Sequence, residues 1–315
     1  MPDTRYLINF ESKLKYNYMK TIRRDFIRMM ALTGAAIAIT PKSLSCASSK
    51  TTKFNPLIGV CTGVNNAAML ATAGYDFIEA GVRTFLVPDK EEPVFLENLA
   101  IAQKAPIPVK ACNSFLPGEM KSVGPETHHA EILKFARTAF RRAQQAGIEI
   151  IVFGSGGSRT VPDGFSHEEA TAQFVSLLKQ MAPIAGEYNV IIVLEPLRSG
   201  ETNFINTVAE GAVIVEKVDH PNFRLLADIY HMLMENEGPE SIINHAHLLK
   251  HMHIAEKEGR AAPGTHGEDF TPYFDAMRKA GYKGMISIEG QWGNMETQAP
   301  VAIKTMRRQM GIVSE

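Results

Sequence analysis

The sequence predicts a single (β/α)8 TIM barrel, on three observations. Short apolar runs alternate eight times with longer amphipathic stretches from about residue 54 onward. Most of these runs are continuously apolar, the pattern of parallel strands covered on both faces. The chain beyond residue 45 is about 270 residues long, close to the roughly 250 of such a barrel, which leaves little for a second domain.

Taken in order, the expected strands are 57–61, 75–79, 109–113, 148–154, 190–195, 223–228, 250–255 and 285–289. Helical periodicity fills 127–146, 166–188, 207–218 and 271–280 between them. Gly147 and Gly281 directly follow two of these helices, where a left-handed cap residue is wanted, and a strand begins shortly after each. A doubly wound nucleotide-binding sheet is the competing arrangement. It needs a Gly-rich turn after its first strand, and Cys61-Thr62-Gly63-Val64-Asn65 lacks the G-x-G-x-x-G spacing.

The first 45 residues are set apart from the barrel. Arg23 and Arg24 precede Phe26 and Ile27, and an apolar run of 11 residues, 29–39, follows. That run is too short to span a bilayer, so it reads as a signal peptide without a transmembrane anchor. The string from Ile22 to Arg28 resembles a twin-arginine export signal, with ordinary Sec export as the alternative, and the periplasm as the expected destination. Met19-Lys20 makes a conventional start for the signal at 19–45, which leaves 1–18 as an over-called extension and 46–315 as the barrel. Ser43-Leu44-Ser45 fits a small-x-small cleavage site, and Cys46 directly after it is a candidate for a lipid anchor. Cys61 and Cys112 lie in apolar strand contexts and are expected to be buried rather than bonded.

With 33 Lys and Arg against 34 Asp and Glu, the net charge of -1 offers no bulk attraction to nucleic acid or to an anionic membrane surface. A small-molecule partner is expected. In this architecture the active site forms at the C-terminal ends of the strands, so polar residues that end apolar runs are the candidates. Glu195, Asp228 and Glu289 end the fifth, sixth and eighth runs, and His253 lies in the seventh. Singly, a strand-end Asp caps a helix and a lone His is structural. Together they would crowd three carboxylates at one mouth, a repulsion that a cation resolves. Three oxygens and one nitrogen suit a single Mn2+, Mg2+, Co2+ or Zn2+ ion, with Mn2+ expected first.

The segments LEPLRSGE, LADIYHM, HMHIAEKEGRAAPGTHGEDF and ISIEG resemble those of the xylose-isomerase-like sugar isomerases and epimerases, most closely the ketose 3-epimerase branch. The resemblance implies that Glu195, Asp228, His253 and Glu289 are metal ligands, with Glu195 and Glu289 as the acid/base pair. It also implies a polar contact at Glu201 and substrate-oxygen contacts at His231 and Arg260, although the loop from His253 to Arg260 is one residue longer than in the epimerases. His266 and Glu79 are further candidates for the mouth. The Gly-rich loop at 154–159 is read as giving room for a neutral sugar rather than as a phosphate cradle.

Metal polarisation of a ketone, with a placed base, makes the adjacent carbon acidic and gives an enediolate with several fates. Export favours material taken apart outside the cytosol. The first expectation is therefore a lyase that eliminates the C1 substituent of a 3-keto-glycoside, and the second a ketose 3-epimerase or sugar isomerase. A non-catalytic sugar-binding barrel and a DNA-repair endonuclease are remote alternatives, the latter opposed by the neutral charge. A homodimer is an expectation by family analogy alone.

Overall fold

Parallel strands expose no usable edge when they close on themselves, and this chain takes that solution. The computed structural model describes residues 54–312; the signal segment, its cleavage site and Cys46 lie outside the described residues. The strands are β1 (Leu57–Cys61), β2 (Phe77–Gly81), β3 (Val109–Asn113), β4 (Ile150–Phe153), β5 (Ile191–Leu194), β6 (Phe223–Asp228), β7 (Leu249–Ile254) and β8 (Met285–Ile288). They pair in chain order, and β8 pairs with β1 to close the barrel. Helices lie between strands, so the predicted (β/α)8 barrel is the fold observed.

Strand bounds shift where a side chain replaces a ladder partner. The expected second strand began at residue 75, but the Asp76 carboxylate accepts the Ile58 backbone N–H at 2.8 Å, and Tyr75 is buried with its hydroxyl donating to the Ala299 carbonyl. Pairing therefore starts at Phe77. Helix ends follow the local chemistry: Thr207 and Glu210 form a reciprocal capping box on Val208–Val218, and Gly147 closes His129–Ala146 at φ 71°. Among the described residues, no helix is long and apolar enough to cross a membrane.

Inward positions alternate along each strand and form layers. Phe77, Ala111, Ile150, Val152, Val193, Leu226 and Met285 form an apolar cluster inside the barrel. Gly59 makes space for this filling: a Cβ there would sit 2.4 Å from the Phe77 ring. Two residues further along β2, β5, β6 and β8, the same face carries Glu79, Glu195, Asp228 and Ser287. An aromatic chain packs the outer side of β3 and β4, with Phe115 edge-on to Phe153 at 5.4 Å and Phe153 edge-on to Phe174 at the same separation. Each such pair contributes about 0.5–1.5 kcal/mol beyond its buried area.

Candidate metal centre and active site

Strand parity explains why the polar residues meet. On β7 both His251 and His253 face inward, on β8 Ser287 is followed two residues later by Glu289, and Asp228 and Ser287 both pair in register with His253. One donor atom from each of Glu195, Asp228, His253 and Glu289 lies within 4.8 Å of the others. His253 Nδ1 is 2.8 Å from Glu195 Oε1 and 3.2 Å from Glu289 Oε2. The structure thus brings together all four residues singled out as ligands.

The donor set fits a divalent cation. Asp228 Oδ1 accepts the Tyr230 backbone N–H at 2.8 Å, while its Oδ2 is buried with no hydrogen-bond partner. A buried carboxylate oxygen left in that state is costly unless a cation or substrate completes it. Burial, with the negative Glu289 next in weight, raises the Glu195 carboxyl above its usual range. Burial also pushes Asp228 up to about 6, against the opposing pull of Arg260 and His253. At Glu289 burial is outweighed by His253 and Arg260, which hold the carboxyl below its usual value. Three acids under these tensions gain from a shared positive charge.

The other expected contacts divide. Arg260 reaches the centre: its guanidinium lies 2.6 Å from Glu289 Oε2 and 3.5 Å from Asp228 Oδ2, and 4.7 Å over the Tyr230 ring. Its loop turns inward through two successive left-handed residues, Gly259 at φ 65° and Arg260 at φ 51°. Glu201 accepts from Arg198 at 2.9 Å and stands 3.6 Å from Arg260, on the wall of the mouth. His231 is buried. Its Nδ1 accepts the Arg198 backbone N–H at 3.1 Å, which puts the proton of the neutral ring on Nε2, 3.4 Å from Asp228 Oδ2. Burial lowers the pKa of this imidazole and favours that neutral form.

Two expectations are corrected. His266 does not line the mouth: its ring is exposed, and the residue is tied down through its backbone N–H, which donates to Glu256 Oε2 at 2.6 Å. Glu79 does not face substrate either. It is fully buried below the centre and accepts from His253 Nε2 at 2.9 Å, His251 Nε2 at 2.7 Å and Ser287 Oγ at 2.6 Å. Burial raises a carboxyl, but His253 and His251 outweigh it and hold Glu79 well below its usual value. An anionic Glu79 on Nε2 leaves Nδ1 of His253 turned toward the three acids, the arrangement that orients a ligating imidazole.

Of the residues near the centre that were not singled out, Asn113 ends β3, whereas Arg159 carries no strand-end signal. Asn113 donates to Glu289 Oε1 at 3.0 Å across the mouth. Arg159 is fully buried and donates to the backbone carbonyls of Gly154 at 2.8 Å and Glu195 at 2.9 Å, bracing the chain where the glutamate emerges. Gly154 belongs to the Gly-rich loop, yet its first role is close approach: a Cβ there would lie 2.3 Å from Glu195 Oε2. His251 was detectable, since it shares a strand face with His253 at a spacing of two. The mouth above these groups is a cavity of about 300 Å3 lined by Glu195, Glu201, Arg260 and Glu289 on one side and by Arg83, Asn113 and the glycines on the other.

The family model of the xylose isomerase-like TIM barrel matches residues 67–309. The chain belongs to that family. Among curated xylose isomerase-like relatives, it is 33% identical over 127 residues to an L-ribulose 3-epimerase of Methylomonas sp. (strain DH-1), covering 40% of this chain and 44% of the relative. It is 29% identical over 115 residues to a 3-dehydro-D-guloside 4-epimerase of Escherichia coli (strain K12), covering 36% and 44%. The chain thus spans less than half the length of these relatives. The solved structure of a D-psicose 3-epimerase from Clostridium cellulolyticum H10 with D-tagatose superposes with a TM-score of 0.71 at 19% identity, over 80% of this chain and 99% of that one. An E. coli 3-keto-D-glucoside 4-epimerase gives 0.70 at 20% identity, over 81% and 100%. These likenesses show the shared fold. The named relatives are epimerases, so they favour the second functional expectation from the sequence over the lyase.

Proposed function

We propose that the protein is a divalent-metal-dependent epimerase or isomerase of keto sugars, which moves a proton on the carbon beside the carbonyl. The observation that carries this reading is the pair Glu195 and Glu289. They emerge from β5 and β8, converge on His253 Nδ1 at 2.8 and 3.2 Å, and line one sugar-sized cavity. A binding barrel has no need of two such carboxylates.

Glu195, Asp228, His253 and Glu289 would hold the ion, proposed to be Mn2+, which when bound polarises the carbonyl and offsets the charge that develops as the proton leaves. The chain's own groups then divide the work. One glutamate takes the proton from one face of the sugar and the other returns a proton to the opposite face. Reversibility requires each to act as base in one direction and as acid in the other. The Arg260 guanidinium and the His231 Nε2–H donate to substrate oxygens, while Asn113 fixes the rotation of the Glu289 carboxylate. Elimination from a 3-keto-glycoside is the second reading. It begins with the same proton abstraction, and the E. coli relative named for a 3-dehydro-D-guloside supports a keto-glycoside as substrate. Export to the periplasm through the N-terminal segment belongs to the same proposal, and fractionation of cells would test it.

The deciding experiment incubates the Mn2+-loaded protein in deuterated water with a ketohexose and, separately, a 3-keto-glucoside. Deuterium at the carbon beside the carbonyl together with an epimer is the expected result. Released aglycone with an unsaturated keto sugar would shift the assignment to the lyase, and absence of any exchange would overturn the catalytic reading.

A further inference from the structure

β2 leads into a single π-helical turn, Val82–Leu86, closed by Val87 at φ 43°. Such turns are rare and concentrate at functional sites. Val82, Phe85 and Leu86 are buried, whereas Arg83 is exposed and lines the cavity. Side chains hold this turn in place. Asn98 donates to the carbonyls of Thr84 at 3.2 Å and Phe85 at 3.0 Å. Arg142, buried beneath the loop, donates to the carbonyls of Leu86 at 3.0 Å, of Val87, and of Lys90 at 2.9 Å, and is itself paired with Glu92. Carbonyls 84 to 87 therefore all accept from side chains, which is unusual for a surface loop and fixes where Arg83 is presented.

The charges of the mouth otherwise balance. Arg198 and Arg260 both approach Glu201, and Arg260 also pairs with Glu289. Given a divalent cation among the three ligating carboxylates, one negative charge remains, and Arg260 offsets it. Among the described residues, no hydrogen bond or ion pair engages Arg83, and it lines the same cavity as Glu201. A guanidinium carried on a braced turn, without a partner among the described residues and open to the cavity, matches the planar oxygen pair of an anion.

We infer that Arg83 is a specificity-determining residue that binds an anionic substituent, a carboxylate or a phosphate, on the sugar. This rests on the keto-sugar reading above and adds to it that the substrate is an acidic sugar derivative. The braced turn fixes the Arg83 backbone at the mouth, so that only the side chain has to order when substrate arrives.

Binding tests this without requiring turnover. Affinities of the Mn2+-loaded full chain are measured by calorimetry for D-fructose, D-fructuronate and D-fructose 6-phosphate. At least one acid is expected to bind roughly 10- to 100-fold more tightly than D-fructose, the range of one charge-assisted pair, and to lose that advantage with added salt. Whichever acid shows the advantage identifies the anion. In Arg83→Gln the ratio of acid to neutral affinity should collapse toward one, and Arg83→Lys should restore part of it; circular dichroism confirms that each variant is folded. Equal binding of all three ligands by wild type, no binding of any, or an advantage that survives in Arg83→Gln each overturns the inference. Failure of every keto sugar to exchange deuterium would instead overturn the proposed function, with the Arg83 assignment still judged by the affinity ratios.

Discussion

On the β5–β8 side of the mouth, each strand end delivers one chemically distinctive side chain: Glu195, Asp228, His253 and Glu289. On the β1–β4 side the wall is made of backbone approach and braces. A Cβ on Gly157 would lie 3.2 Å from Gly118 Cα, and one on Gly154 would overlap the Glu195 carboxylate. One half carries the acids and the histidine, and the other sets the shape of the space and the aim of those groups, with Arg83 as its charged member. If this division is right, mutations on the first side should remove chemistry, while mutations on the second should misdirect it.

The largest effect should come from Glu289→Gln. The substitution keeps shape and the Asn113 contact but removes a proton carrier and a ligand charge, so turnover should fall by about 10²- to 10⁴-fold with the fold intact. Steady-state rates with near-wild-type circular dichroism would bear this out. A loss of only a few fold would mean that Glu289 is a spectator and that the acid-bearing half is misassigned.

Gly154→Ala tests the other half against the first. The added methyl collides with Glu195 Oε2 at 2.3 Å, so it must displace that carboxylate, the proposed acid/base group. A displacement of this kind costs on the order of 10²-fold in rate. The expected pattern is a fall in kcat with KM and melting temperature little changed. A KM effect alone would show that the loop acts on the sugar directly.

The difference between the halves also explains what could be read from residues. All eight strands were legible because continuous apolar runs leave few options for their pairing, and the clustering of Glu195, Asp228, His253 and Glu289 was legible because acids and a histidine at strand ends are rare company. Glu79 was visible as a residue but not as a role, since facing the mouth and facing His253 from below differ by one layer of the barrel. His266 looked equivalent in sequence to the residues that cluster at the mouth, yet its loop is organised by Glu256, which draws in the backbone N–H groups of Gly264, His266 and Gly267 and leaves His266 exposed. Arg159, Arg142 and Asn98 act on backbone carbonyls distant in sequence, and only the folded chain defines those partners. Glu79→Gln sharpens the point. Loss of the anion behind His253 should weaken Mn2+ binding by about 10- to 100-fold, measured by titration, while substrate contacts stay in place. Unchanged metal affinity would make Glu79 a purely structural residue.

The smallest effect lies at Glu92, which supports the turn that carries Arg83. Hydrogen bonds from Arg141 in the first place, joined by Arg142 and together outweighing desolvation, lower the Glu92 pKa from the ordinary 4.5 to about 2. A depressed carboxyl means that the unfolded chain takes up the proton first as pH falls. The contribution is therefore present above pH 4.5 and fades between about 4.5 and 2. Glu92 is 37% exposed, so solvent screens the pair and the stabilisation is small. Arg142, by contrast, is nearly fully buried and would lose its only carboxylate partner among the described residues. Glu92→Gln should thus be slightly less stable than wild type at neutral pH, and the two should converge through that acid window in unfolding followed by circular dichroism. If instead no offset appeared at neutral pH, the carbonyls of Leu86, Val87 and Lys90 alone would suffice to hold Arg142, and the bracing of the β2 turn would be independent of the Glu92 charge.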